Sequence, residues 1–456
     1  LGCEELDITE IAGADELYEA EGIIAQSEAN ATQLFSTART YYSTEGSSQC
    51  IRAMLHLALQ MRPAKAGRPV LLAARNAHKA LLYAAALLDF DIRWLWPAAE
   101  NAGALCSCPV PAAKLADALH ALAQQDRKPF GVYVTSPDYL GGVQDIAALA
   151  AVCRAQDVPL LVDNAHGAYL RFLPENRHPI ALGAAMCCDS GHKTLPVVTG
   201  GAYLHLAHDA PVQDEAAVRG ALALFGSTSP SYLILQSLDA CNAVLAGDYP
   251  RRLVQCCAAL EGLRRSLNKT AAARQCPVPL AVAGAQQEPM KLTLDAAALG
   301  CTGTALADAL RRAQLECEYA DPRYVVLMFT PENPPQDYTR LQTVLEQLLA
   351  AVPAGLLRPE NRAGEFAALQ QQAAQRCTIR QAVLGAQVRV PVHKALGRVC
   401  AMPTVSCPPA IPVAVSGEEI TPKEWRREID LLTAQKQVDS IDMKAMREEL
   451  KAVERL

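Results

Sequence analysis

The sequence predicts an α/β protein built on a mainly parallel sheet with helices on its faces. Three observations predict it. Between residues 40 and 206, short apolar runs alternate with amphipathic stretches of helical period. The apolar runs are rich in Val, Leu and Ile without polar alternation, as in strands buried on both faces. Strand and helix take turns along the chain, the order of βαβ units.

The elements follow in order. Tyr41–Thr44 reads as a short strand, and Gly46-Ser47-Ser48 opens a helix. Pro69–Ala74 is a strand and His78–Leu88 a helix. Ile92–Trp96 and Pro111–Gln124 repeat the pair. Phe130–Thr135 is a strand, Ile146–Gln156 a helix and Val158–Val162 a strand. Ala184–Cys188 and Gly201–Leu206 close the series. A second α/β region begins near residue 270, with strands at Met290–Leu294 and Tyr324–Phe329 and helices at Thr304–Gln314 and Tyr338–Ala351. Beyond Pro353 come an Ala/Gln-rich helix (Glu365–Gln375), a Pro-rich stretch (Val405–Val413) and a charged helical end (Thr421–Leu456). The expected domains are 1–268, 269–355 and 356–456.

Composition limits the function classes. The chain has 456 residues, 51% hydrophobic, with a formal net charge of -6. That balance offers no basic surface to a phosphate backbone, so nucleic acid is not an expected partner. Of the sixteen cysteines, Cys187–Cys188 and Cys256–Cys257 are adjacent pairs in apolar runs. No pair of Cys-x-x-Cys units occurs, so neither a structural zinc nor any other metal is expected. Reduced, buried thiols suit the cytoplasm. Asp89 and Asp91 interrupt the longest apolar stretch, and no membrane span is expected. The first residues, Leu1-Gly2-Cys3-Glu4-Glu5, carry no Met and no signal-peptide pattern. We expect the natural N-terminus to lie upstream.

In an open α/β sheet, ligands bind beyond the carboxyl ends of the strands. Four post-strand segments stand out: Glu45-Gly46-Ser47-Ser48, Arg75-Asn76-Ala77-His78-Lys79, Asp163-Asn164-Ala165-His166-Gly167, and Asp189-Ser190-Gly191-His192-Lys193-Thr194. Alone, each has an ordinary explanation. An Asp at a strand end caps a helix or turn, a Gly-Ser-Ser is an N-cap, and a Lys is a solvated surface residue. Together they match the needs of pyridoxal 5'-phosphate (PLP). That cofactor takes a lysine amine, here Lys193, for its aldehyde. It takes a carboxylate, Asp163, beside its ring nitrogen. Its phosphate takes hydroxyls and N–H groups at a helix N-terminus, the Gly46–Ser48 turn. A histidine would stack on the ring.

These segments resemble the motifs of the bacterial-type ornithine/lysine/arginine decarboxylases, Asp163-x-Ala-His-Gly and Ser190-x-His-Lys193-Thr-Leu-Pro above all. The resemblance extends over most of the chain. It includes Asp7-Ile-Thr-Glu-Ile-Ala-Gly-Ala-Asp-Glu-Leu17, Ser136-Pro137-Asp138-Tyr139-x-Gly141, Gly226-Ser227-Thr228-Ser229-Pro230-Ser231-Tyr232, Ala395-Leu396-Gly397-Arg398 and Cys407-Pro408-Pro409. It implies a fold type I PLP enzyme, similar in architecture to aspartate aminotransferase, in the family's short form.

The resemblance also implies roles. Lys193 would carry PLP as a Schiff base, Asp163 would pair with the ring nitrogen and His78 would stack on the ring. Ser47, Ser48, Ser190 and His192 would hold the phosphate, and His166 would lie close to the ring. Thr228 and Ser229 would reach the phosphate of a second subunit, because such enzymes share sites across a homodimer. The implied reaction is Cα decarboxylation of a basic amino acid, arginine before lysine or ornithine, as in polyamine synthesis. His192 or Lys193 would protonate Cα. Glu318, Asp321, Glu332 and Glu418 are acids available to the substrate side chain.

Two positions depart from the family: Gly191, where Thr is frequent, and Ala410, where Gly is usual. The family's His- and Gly-containing segment, which helps form the substrate entrance, would stand ahead of Asp7; either it lies upstream of Leu1 or this member is impaired. The alternatives are another fold type I reaction, such as transamination or aldol cleavage, and a non-catalytic homologue acting as a binding partner. Lys193 and Asp163 do not separate the first alternative, and their retention argues against the second.

Overall fold

The computed structural model describes residues 2–62, 67–97, 104–352, 373–390, 394–402 and 409–421. The chain divides into two compact units, Leu1–Pro97 with Pro109–Cys256, and Ala98–Cys108 with Cys257–Leu456.

The first unit begins with α1 (Ile23–Phe35), β1 (Arg39–Ser43), α2 (Ser47–Met61), β2 (Val70–Ala74), α3 (Lys79–Leu88) and β3 (Asp91–Leu95). It continues with α4 (Ala112–Gln124), β4 (Gly131–Thr135), α5 (Ile146–Ala155), β5 (Leu160–Asp163), β6 (Met186–Asp189), a one-turn helix α6 (Gly191–Thr194) and β7 (Ala202–Leu206). Then come α7 (Glu215–Ala223), α8 (Tyr232–Ala246) and α9 (Tyr249–Ala273), within which the two units divide.

The seven strands form one sheet in the order β1-β7-β6-β5-β4-β2-β3. Every residue of β2, β5, β6 and β7 is buried, as their unalternated apolar sequences require. The chain places β3 on one side of β2 and then β4 on the other. Strand order reverses there, and a crevice opens at such a point beyond the strand ends. Thr135 pairs with Asp163 across β4 and β5, and Asp163 with Cys188 across β5 and β6. The carboxyl ends of these strands are therefore level, and their following turns converge.

The sheet is mixed in one respect. β7 runs antiparallel to both β6 and β1. The connection from β6 to β7, residues 190–201, contains only the one-turn helix α6.

The second unit carries a three-stranded antiparallel sheet, β8 (Lys291–Asp295), β10 (Tyr324–Met328) and β9 (Tyr319–Ala320), in that order. With it come α10 (Gly303–Arg312), α11 (Pro335–Ala350) and α12 (Ile379–Leu384). Asp321 is buried and accepts from the backbone N–H groups of Arg323 and Tyr324 and the Tyr319 hydroxyl. Glu418, also buried, accepts from Val415 N–H. Both acids are bound into local structure. Ala410 sits at φ 55, where a glycine is favoured.

Among the described residues no cysteine forms a disulfide, and no helix is long and apolar enough to cross a membrane. Most of Glu365–Gln375, the Cys407-Pro408 pair and the chain beyond Thr421 lie outside the described residues.

Candidate active site

The turns after β2, β5 and β6 and the start of α2 carry the predicted residues. Asp163 ends β5 and is 2% exposed. The Tyr133 hydroxyl donates to its Oδ2 at 3.0 Å, and Ala165 N–H donates to Oδ1 at 3.2 Å. Burial pushes the Asp163 carboxyl up, and the Lys193 charge only partly offsets it. A carboxyl in that condition favours either its own proton or a further cation beside it.

Lys193 lies in α6, directly after β6. Its Nζ is 3.1 Å from Nε2 of buried His166. Tyr139 packs edge-on against the His166 ring, with centroids 4.8 Å apart. The structure thus brings Lys193, Asp163 and His166 together from two different turns.

His78 is the N-cap of α3, where its Nδ1 accepts from Ala80 N–H at 3.1 Å. Burial and the nearby Lys193 charge push its imidazole down to about 3. His78 is therefore a neutral, flat group next to the lysine. His192 N–H and Nδ1 are both 3.2 Å from the Gly201 carbonyl, so Nδ1 carries a proton and Nε2 is left as the acceptor. Burial also lowers the His192 pKa.

Gly46 precedes α2 at φ 71 and ψ 177, a backbone conformation nearly confined to glycine. Its N–H donates to Gly200 O at 2.8 Å. No side chain caps α2, so its first-turn N–H groups, including those of Ser47 and Ser48, form the anion-attracting end of a fifteen-residue helix. Ser190 Oγ donates to Ser47 Oγ at 2.8 Å, which joins the α2 end to the turn after β6. Thr228 and Ser229 stand exposed on the turn between α7 and α8.

This donor set fits PLP. A lysine amine, a buried carboxyl short of a cation, a neutral imidazole and an uncapped helix end with two linked hydroxyls are the groups it requires. The Thr135 hydroxyl is a further sign. It is buried without a hydrogen-bond partner, in register with Asp163. At Gly191, where the family often has Thr, a Cβ would stand 3.0 Å from the Tyr203 ring and 3.4 Å from Gly201 O, so there the glycine is closely packed.

The sequence reading missed Tyr133 and Thr135. A signal existed. They are two residues apart on β4 and so share one face, and that face ends beside the Asp of the next strand.

Known proteins give the same direction. The family model for the Orn/Lys/Arg decarboxylase major domain matches residues 4–336, and that for the C-terminal domain matches residues 362–441. A Bacillus subtilis (strain 168) protein, YaaO, is 30% identical over 329 residues, 71% of this chain and 65% of its own length. The arginine decarboxylase of the same organism is 27% identical over 426 residues, 91% of this chain and 82% of that one. Among solved structures, lysine decarboxylase A from Pseudomonas aeruginosa superposes with a TM-score of 0.75 at 19% identity, over 96% of this chain and 71% of that one. The fold is that of the type I PLP-dependent enzymes.

Proposed function

This chain belongs to the Orn/Lys/Arg decarboxylase family, and we propose that it removes the α-carboxyl group of a basic amino acid, arginine before lysine or ornithine. The observation that carries the reading is the Lys193–His166 contact of 3.1 Å, made beside buried Asp163 at the strand ends.

PLP, when bound, supplies a ring that accepts the electron pair left at Cα as CO2 departs. The rest falls to the chain. Lys193 would be the amine that holds the cofactor and would be released when the substrate amine takes its place. It must be neutral to attack, and His166 Nε2 is placed to take its proton. Asp163, braced by Tyr133 and Ala165, holds the proton on the ring nitrogen. His78 covers a ring face as a neutral imidazole. Ser47, Ser48, Ser190 and the start of α2 bind the phosphate, with His192 beside them. Lys193, or His192 once its Nε2 has taken up a proton, would return a proton to Cα.

Arginine is placed first because this chain is 25–27% identical to several arginine decarboxylases over about nine-tenths of its length. A guanidinium asks for a fork-like carboxylate partner. The exposed Thr228–Ser229 turn supports a homodimer in which one subunit completes the phosphate site of the other. The division into 1–268, 269–355 and 356–456, and a cytoplasmic setting, belong to the same proposal.

The test is CO2 release from arginine, lysine and ornithine by the PLP-loaded full chain. Release from arginine foremost supports the reading. Formation of pyridoxamine phosphate without CO2 would turn it to transamination. Absence of PLP binding would turn it to a binding partner.

A further inference from the structure

Outside the groups assigned above, a fully buried polar cluster is centred on Asp189, the last residue of β6. Asp189, His178, His205 and Asn164 are each 0% exposed. His178 Nε2 lies 3.0 Å and His205 Nε2 3.2 Å from Asp189 Oδ2. The Asn164 side-chain amide donates to Asp189 Oδ1 at 2.7 Å. The Thr40 hydroxyl is 2.9 Å from His205 Nδ1, so a neutral His205 can accept there and present Nε2–H to the carboxylate. Burial alone would push the Asp189 carboxyl up, but the two imidazoles outweigh it and hold it below the usual carboxylate range.

The placement of Asn164 gives the cluster its consequence. Asn164 lies between Asp163 and His166, while Asp189 lies four residues before Lys193. The backbone repeats the link, with Asn164 N–H donating to Cys188 O at 2.9 Å. The Asn164 side chain also occupies the space that a Cβ on Gly167 would need, so the turn after β5 is wrapped around it. The two turns that bear Asp163, His166 and Lys193 are thus joined beneath the site by one charge-assisted hydrogen bond.

We infer that Asp189 is a positioning residue: held as an anion by His178 and His205, it clamps Asn164 and so fixes the Asp163–Gly167 turn against the Ser190–Thr194 turn. The same three side chains could also be arranged around a divalent cation. The hydrogen-bonded reading is favoured because Asn164 supplies a third donor and the Thr40 hydroxyl satisfies His205 Nδ1 while Nε2–H faces the carboxylate, so the carboxylate is satisfied without a metal.

The test exchanges donor and acceptor in the full chain. Asn164→Asp sets two carboxyl groups against each other, Asp189→Asn weakens the acceptor, and the two changes together restore an amide–carboxylate pair while an amide oxygen still faces the imidazoles. Asn164→Ala, which leaves Asp189 with both histidines, serves where the charged change prevents folding. Hydrogen exchange by mass spectrometry reads the turns with no need of cofactor. Each single variant should speed exchange in both turns by about tenfold or more, the scale of one lost hydrogen bond to a charged acceptor. The exchanged pair should reverse most of that.

In the PLP-loaded protein, the absorbance spectrum of the bound cofactor should change in the single variants and return in the pair, a response that loss of general stability would not give. The spectral arm rests on the proposed function, and the exchange arm does not. A native chain that retains no PLP would contradict that function, and exchange would still decide the clamp. Faster exchange confined to the turn that carries the change, or a pair no better than the worse single variant, would overturn the inference. So would one divalent ion per chain that is lost in His205→Gln.

Discussion

Nζ of Lys193 and Nε2 of His166 lie 3.1 Å apart, although 27 residues separate them in the chain. The contact exists because β5 and β6 are neighbours in parallel register, so the turns that follow them start at the same level. In the role proposed for Lys193, an amine that must lose a proton to become a nucleophile would have an imidazole in reach to receive it. His166→Gln should lower kcat by about 10²-fold, within the usual range for loss of an acid–base group. Borohydride should still fix PLP to Lys193 in this variant. Steady-state rates check the first outcome and peptide mapping the second; an unchanged kcat would remove His166 from the chemistry.

The His78 imidazole is held down to about 3 by burial and by the Lys193 charge. In an unfolded chain it titrates near about 6.5. Between those values the unfolded state binds more protons, so stability from this group is present above the unfolded value and is lost as pH falls toward 3. One proton contributes at most about 1.4 kcal/mol per pH unit. His78→Asn keeps a side chain able to cap α3 and removes the titration. Denaturant titrations of the cofactor-free chain at several pH values should show a flatter acid slope in this variant, with little change near neutrality.

Tyr133→Phe deletes the hydroxyl that donates to Asp163 Oδ2. The carboxyl stays buried and loses a donor, which should cost about 1.5–3 kcal/mol. Chemical denaturation measures that loss. The spectrum of bound PLP should shift as well, because Asp163 is then a poorer partner for the ring nitrogen.

Gly46→Ala puts a Cβ on a residue at φ 71 and ψ 177. No atom lies within 4 Å of that Cβ, so the penalty is one of backbone strain, about 1–3 kcal/mol. The strain falls on the entry to α2. PLP should therefore dissociate faster, and equilibrium dialysis against free cofactor checks this.

Much of the fold could be read from the sequence because buried parallel strands leave an unambiguous signal. Val70–Ala74, Gly131–Thr135 and Leu160–Asp163 fall within a residue or two of the apolar runs that announced them. The direction of β7 did not show in its composition. It lies in the pairing, where β7 runs against both β6 and β1, and residue type alone does not report that. The turns bearing Asp163 and Lys193 were legible because their polar residues interrupt apolar strands. Tyr133 was not, since an aromatic residue inside a strand reads as core, and only the register shows its hydroxyl aimed at Asp163. His178 and His205 were passed over for a similar reason: their partner is a buried aspartate reached from two other segments.

The central claim is that Lys193 is the residue that takes the cofactor, and one measurement reaches it directly. The full chain is loaded with PLP, reduced with borohydride, digested, and its modified peptide identified. A single stable label is expected on the peptide that contains His192-Lys193-Thr194, and none after Lys193→Ala. A label on another lysine, or no label in a chain that is folded and saturated with PLP, would contradict it.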